Sequence, residues 1–241
     1  MKTFHSIKST FIILFLVGAF GFSPPAYSET YIGFGVGTTI PNDFSNIKLG
    51  GAATASYDDL NVHNSFAYEL KLGHFWDDFE LKGFKFGLEF NYLNRDLDAT
   101  TKFIGSTFPN QEHLGFRINT FHTLTLIPLA RYAFGNFEPH FGVGLAVNLI
   151  DAEEISLGNT TINTIKVDHG LSDYVDVGMV LSVGLDYKVS EKLKFYSEYK
   201  HSTSSYDLFL VRGANTNFNL AFDTADNNFM AGFKYNFKLF E

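Results

Sequence analysis

The chain has no cysteine, one tryptophan and six prolines in 241 residues. Without cysteine an exported protein has no disulfide framework, so its stability must come from packing and backbone hydrogen bonds. Past residue 28 no stretch holds 18 consecutive apolar residues, which excludes a transmembrane helix from that part of the chain. Positive charge is in short supply: 18 Lys and Arg stand against 26 Asp and Glu, a formal net charge of −8. That balance, with no basic patch, argues against a nucleic-acid partner. His63, His74, His113, His122 and His169 are scattered without ligand spacing, so no metal site is expected. Asp58-Asp59, Asp223 and Asp226 fall in predicted loops and lack the glycine and spacing of a calcium loop. Gly33-x-Gly-x-Gly37 precedes no helix and is no nucleotide fingerprint. No cofactor is expected.

What the chain has in excess is phenylalanine, 28 residues, within 17% aromatic composition. So many rings require apolar surroundings. Residues 1–28 have the form of a secretory signal. Lys2 and Lys8 precede the apolar run Phe11–Phe20, Pro24 and Pro25 break it, and Ala26-Tyr27-Ser28 is a small-x-small cleavage site. Residues 29–241 are then expected to form one domain, and losing Lys2 and Lys8 takes the net charge from −8 to −10.

Eight segments of that domain alternate apolar and polar residues, the period of a β-strand with two unlike faces. They are Tyr31–Ile40, Ser65–Trp76, Phe84–Arg95, Ile118–Phe134, Pro139–Leu149, Val175–Lys188, Leu193–Ser202 and Asn228–Phe237. The last is the clearest: Phe229, Ala231, Phe233, Tyr235 and Phe237 alternate with Met230, Gly232, Lys234 and Asn236. The fourth is the least regular, and Pro128 within it predicts a weakened strand or a bulge. Connections alternate in length. Those between Trp76 and Phe84, Phe134 and Pro139, and Lys188 and Leu193 are short; 41–64, 96–117, 150–174 and 203–228 are long and polar. This is the plan of an eight-stranded antiparallel transmembrane up-and-down β-barrel of a Gram-negative outer membrane, all-β, with short periplasmic turns and four long outer loops.

Volume decides which face points inward. An eight-stranded barrel has an interior only just wide enough for its inward side chains. The bulky Phe, Tyr, Leu, Ile and Val of the apolar faces cannot fit there, whereas the polar faces are rich in glycine. A glycine on a water-exposed strand would cost roughly 0.5–1 kcal/mol without return; in a narrow lumen it makes room for a neighbouring Arg, Lys or Glu. The apolar face therefore meets lipid. The lumen is predicted to hold Glu69, Lys71, Lys85, Glu89, Arg95, Arg131, Asp176, Asp186, Lys188, Lys194, Glu198, Lys200 and Lys234. Buried charges must pair, so these predict a salt-bridge network that plugs the barrel. His140 is expected near the periplasmic rim as a hydrogen-bonded lumen residue. Trp76, Tyr92, Tyr132, Tyr187 and Tyr199 are expected in interfacial girdles.

Three stretches carry a family resemblance: Tyr132-Ala-Phe-Gly-Asn-Phe-Glu-Pro-His-Phe-Gly-Val-Gly-Leu-Ala146, Val183–Lys200 and the closing Ala231–Phe237. Together they resemble the small opacity-type surface antigens and the outer membrane protein A barrel across residues 29–241. The resemblance implies an anchor, adhesin or surface antigen. It also implies a C-terminal signal read by the barrel-assembly machinery, here Phe233, Tyr235 and Phe237.

One stretch suggests chemistry. In Lys200-His-Ser-Thr-Ser-Ser-Tyr206, His201 and Thr203 share a strand face and echo the His-x-Ser pair of lipid A deacylases, which are also eight-stranded barrels. Thr is a poor stand-in for the serine, no Asn follows to complete the pattern, and Glu198 lies on the opposite face from His201. The residues therefore favour a structural scaffold or surface antigen displaying four long loops. A lipid A-modifying hydrolase is the second reading and a small pore the third. Expected partners are outer-membrane lipid and lipopolysaccharide, the assembly machinery and an extracellular ligand held by the loops; a monomer is expected.

Overall fold

A computed structural model of the chain describes residues 28–42, 44–51, 55–60, 64–102, 113–157, 174–212 and 216–237. The predicted signal segment apart from Ser28, the residues His5, His63 and His169, and parts of all four predicted outer loops lie outside the described residues. The described elements are strands: β1 (Ser28–Pro41), β2 (Phe44–Gly51), β3 (Ala55–Leu60), β4 (Ser65–Leu81), β5 (Phe84–Lys102), β6 (His113–Tyr132), β7 (Phe137–Leu157), β8 (Tyr174–Lys188), β9 (Leu193–Arg212) and β10 (Thr216–Phe237). Eight of them, β1 and β4 to β10, pair in sequence and close when β10 returns to β1. All these pairs are antiparallel. Closure removes the free sheet edges that would otherwise be exposed. An even strand count brings both ends of the barrel to one rim, where Thr30 pairs with Phe237.

That rim also carries the tight turns. Lys82 and Gly83, both at positive φ, make the two-residue turn from β4 to β5. Phe134 and Phe137 exchange backbone hydrogen bonds of 2.7 and 3.0 Å around Gly135. The opposite end is taller than the sequence predicts. Spanning a bilayer takes about 9–11 residues per strand, yet these barrel strands run from 14 to 22. Much of the predicted outer loops is therefore strand. β9 and β10 stay in register from Leu193↔Tyr235 to Arg212↔Thr216, and β2–β3 forms a hairpin whose β2 covers the outer part of β10. Above the bilayer both faces of a strand meet water, so the hydrophobic alternation fades while the backbone ladder continues. The pattern in the sequence stops where the membrane stops and the sheet does not.

Pro128 leaves a gap in the β6–β7 ladder between Leu126↔Leu145 and Leu129↔Gly142, with the same register on either side. The strand is weakened there and not bulged, because the missing N–H removes one rung without adding a residue.

The two faces separate as volume requires. Ile32, Phe34, Phe66, Leu70, Phe141, Val143, Leu145, Val183 and Phe233 project outward, each at least two-fifths exposed. Aromatic pairs form two bands on this outer face. Phe84–Tyr132 and Phe137–Tyr187, at 5.2 and 5.1 Å between ring centres, lie near the short-turn rim, with His74–Trp76 beside them at 5.3 Å. Tyr68–Tyr92 and Tyr199–Phe229 lie farther up, at 6.5 and 5.1 Å. Two such bands around an apolar belt are the girdles of a membrane barrel. Phe233 and Tyr235 stand on this face, and Phe237 closes the row.

Candidate functional site: the barrel lumen

The cross-strand register sets charged residues beside glycines around the inner wall. Gly33 lies between Lys71 and Lys234, Gly73 between Tyr31 and Glu89, Gly184 between His140 and Glu198, and Gly35 beside Glu69. The glycines make the expected space, but rings occupy much of it. A Cβ on Gly73 would run into the Tyr31 ring, and one on Gly35 would run into Tyr196. Both tyrosines are fully buried in the lumen.

Lys71 is the hub at mid-height. Its Nζ lies 3.1 Å from Glu89 and 3.6 Å from Glu69, makes its closest contact with Glu198, and sits 4.7 Å over the Tyr196 ring. Lys200 takes the other side of the cluster, 2.6 Å from Glu69 and 3.5 Å from Glu198. Neutral donors complete the carboxylates. Tyr196 Oη and Asn91 Nδ2 donate to Glu69 at 2.7 and 2.6 Å, Tyr31 Oη donates to Glu89 at 2.5 Å, and Ser182 donates to Glu198. Lys234 grips both oxygens of Asp186 at 2.9 and 3.0 Å.

A second cluster lies at the short-turn end. Arg131 makes a bidentate pair with Glu29 at 3.0 and 2.7 Å, reaches Glu138 at 3.3 Å and stacks 3.9 Å over Phe75. Lys194 bridges the same two carboxylates at 2.5 and 2.6 Å, and Lys188 adds a 2.6 Å contact to Glu138. Fork-to-fork pairing of this kind holds geometry as well as charge. Toward the long-hairpin end Arg95 pairs with Asp226 and donates to Thr123 at 3.3 Å. Thr123 passes the chain to Asn148, and Asn148 to Ser204, at 2.7 and 2.5 Å.

All thirteen charges predicted for the lumen lie on strand faces that point inward. Ten of them are buried; Lys85 and Asp176 are half-buried, and Lys188 is 39% exposed at the short-turn rim. The sequence reading missed Glu29, Glu138 and Asp226, the partners of Arg131, Lys194 and Arg95. Asp226 was expected in a solvated loop; it is buried because β10 begins at Thr216. Apolar lumen residues were missed as well: Tyr31, Phe75, Ile127, Leu129 and Tyr196 all point inward and are buried, beside Met230, which the alternation had placed on the inner face. His140 is buried in the lumen opposite Arg131, three residues along β7 from Phe137 at the short-turn rim. Its ring makes no hydrogen bond among the described residues, with Nδ1 3.6 Å from Asp186 and Nε2 4.0 Å from Glu198. Both distances are too long for a hydrogen bond to either carboxylate.

His201 and Thr203 share the outer face of β9, as their spacing predicts, and Ser202 is buried in the lumen. The partner of His201 is an amide: Nδ1 meets Asn227 Oδ1 at 3.0 Å, and Tyr199 Oη donates to the same oxygen at 2.7 Å. An orienting carboxylate is what hydrolytic chemistry would need at that place. On the other side of the barrel Tyr92 and Asn94 engage His122 at 2.7 and 2.9 Å, and Thr30 engages His74 at 2.9 Å.

This closed, lipid-facing barrel is that of an outer-membrane protein of Gram-negative bacteria, and comparison with known proteins agrees. The chain belongs to the outer membrane protein beta-barrel domain family, whose model matches residues 12–237. Among solved structures it is similar to the outer membrane protein OprG from Pseudomonas aeruginosa. The two are 18% identical over 89% of this chain and 98% of that one, with a TM-score of 0.51. It is also similar to Neisserial surface protein A, 12% identical over 86% of this chain and 97% of that one, with a TM-score of 0.42. At such identities the likeness is one of fold. No curated protein sequence matches the chain.

Proposed function

We propose that the protein is a sealed membrane anchor, a barrel whose lumen is closed by its own ion pairs and which holds extended hairpins above the outer surface. The observation that carries this reading is the charge balance inside. Among the described residues the fully buried charges are six acids (Glu69, Glu89, Glu138, Asp186, Glu198, Asp226) and six bases (Lys71, Arg95, Arg131, Lys194, Lys200, Lys234). A water-filled channel leaves charges solvated; here they are taken out of water and matched one for one, as buried ions must be. Eight strands enclose a space that side chains fill, and open aqueous channels belong to wider barrels. Specific recognition then falls to the strand extensions and hairpins at the outer end, where binding residues commonly sit. In this reading the protein acts as a monomeric surface antigen or adhesin scaffold, surrounded by lipopolysaccharide and installed by the assembly machinery through Phe233, Tyr235 and Phe237.

The test is planar-bilayer recording of the purified, folded barrel. The expected trace has no steady conductance steps. Reproducible ohmic steps that vanish when the same sample is heat-denatured would sink the sealed reading in favour of a small pore.

A further inference from the structure

The barrel closes where its first and last strands meet, and that seam is unlike the other pairings. From β4 to β10 each strand follows its neighbour in the chain, and β1 leads to β4 through the β2–β3 hairpin. β1 and β10 have no such connection, so only their ladder and side chains keep them together. The seam has side-chain ties of its own toward its two ends: Thr39 donates to Asn228 at 2.6 Å, and the Lys234 ammonium lies 4.9 Å over the Tyr31 ring. Between these the inner face of β1 is Gly33, Gly35 and Gly37, opposite Lys234, Gly232 and Met230. Gly35↔Gly232 is the one rung among the described pairings with glycine on both strands.

The flanking strands supply what the middle of the seam lacks. One cross-strand row runs Tyr196, Gly232, Gly35, Glu69 over β9, β10, β1 and β4. The two middle residues have no side chains, and the two outer ones meet above them. Tyr196 Oη donates to Glu69 Oε1 at 2.7 Å, with the hydroxyl at the place a Gly35 side chain would take. Two more ties join β9 to β4 across the same pair of strands, Lys200 to Glu69 at 2.6 Å and Lys71 to Glu198. All five side chains are buried, and hydrogen bonds to ionised groups are the stronger kind. Only glycine permits the crossing. A Cβ on Gly35 would run into the Tyr196 hydroxyl, and one on Gly232 into the backbone of Phe34 and Gly35. Nearer the ends the seam is crossed again, by Lys194–Glu29 and Arg95–Asp226.

We infer that the β9–β4 ties form a strap that holds the closure seam, and that releasing it frees the middle of the seam while the chain-connected pairs keep their hydrogen bonds. Glycine in a strand interior weakens that strand, having no side chain to pack. The strap offsets a weakness that its own passage requires. Proteins open locally as well as globally, each opening with its own free energy. Here the local opening falls at Gly35↔Gly232, where the ladder has neither a connecting segment nor side chains of its own. The inference does not rest on the lumen being sealed, since the strap holds the seam whether or not water passes beside it.

Amide hydrogen exchange of the folded protein in detergent micelles tests it. Tyr196→Phe keeps the ring and removes the hydroxyl. In this variant the amides of Gly33–Gly37 and Met230–Lys234 are expected to exchange about tenfold faster than in the parent chain, and those of β6 and β7 by less than about twofold. Gly35→Ala cuts the strap from the other side. Alanine ordinarily strengthens a strand relative to glycine; here its Cβ displaces the Tyr196 hydroxyl, so the same amides are expected to exchange about tenfold faster. Thr125→Val, which removes a buried hydroxyl from β6 on the far wall, should leave the seam amides unchanged. An equal rise in β6 and β7 would make these ties a support of the whole barrel, and no rise in either variant would mean that the ladder alone holds the seam. Either result overturns the inference.

Discussion

Replacing Lys71 with methionine is expected to destabilise the folded barrel by about 3–5 kcal/mol, the cost of breaking a buried ion cluster by removing one partner. Methionine keeps most of the volume, so the loss is one of charge. Three carboxylates, Glu69, Glu89 and Glu198, contact Lys71, and all three are fully buried. Lys200 still serves Glu69 and Glu198, but Lys234 reaches Glu89 only at 4.0 Å. Removing the hub leaves like charges facing each other, all of them buried. Urea unfolding of the protein in lipid vesicles measures the loss. The double variant with Glu198→Gln is expected to recover part of it, because one of the stranded charges is then gone. A loss below about 1 kcal/mol would mean that water reaches the cluster and solvates it, as at a surface ion pair.

The second large effect is expected on the opposite face. Val143→Arg should cost about 2–4 kcal/mol in a membrane and affect nothing in the lumen. Val143 points outward, is 52% exposed and pairs with Leu181 on β8. It stands six residues along β7 from Phe137 at the short-turn rim, roughly 15 Å up at about 3.3 Å per residue and a tilt of about 40°. That is near the bilayer midplane, where an arginine finds no partner and no water. The same substitution on the outside of a water-soluble barrel would fall within about 0.5 kcal/mol of neutral. Refolding yield and urea stability in vesicles distinguish the cases, and a change within that narrow margin would contradict the assignment of this face to lipid.

The barrel was readable in the sequence because its two solvents differ. Wherever lipid lies on one side and the polar lumen on the other, a period of two survives, and Phe229–Phe237 or Val177–Tyr187 can be read without a structure. The thirteen lumen charges were readable for the same reason, since parity along each strand places them. What was hidden depends on neighbours in space. Asp226 lies above the point where alternation gives out, and only the continued β9–β10 ladder shows that it faces Arg95. Glu138 stands beside Pro139 at a turn and Glu29 at the predicted cleavage point, so neither had a strand period to place it. Tyr31 and Tyr196 are large residues on faces that read as polar. They fit because the register sets Tyr31 opposite Gly73 and brings the Tyr196 ring over Gly35, and register across strands is not written in either strand alone. Phe75 carries the same signal of parity: it is out of phase with the apolar row Phe66, Tyr68, Leu70 and Leu72 on its own strand, as Tyr31 is with Ile32, Phe34 and Val36.

The absence of cysteine makes the most direct measurement simple. Ser182 is fully buried on the inner face of β8, hydrogen-bonded to Glu198 beside the Lys71 hub. Ser182→Cys introduces the only thiol in the chain at the centre of the lumen. If the lumen is closed by packed ion pairs, a charged water-soluble thiol reagent leaves this cysteine unmodified in the folded barrel and modifies it fully once the barrel is unfolded. Modification of the folded protein at the rate of a free thiol would show a water-filled passage through the centre of the barrel and contradict the account.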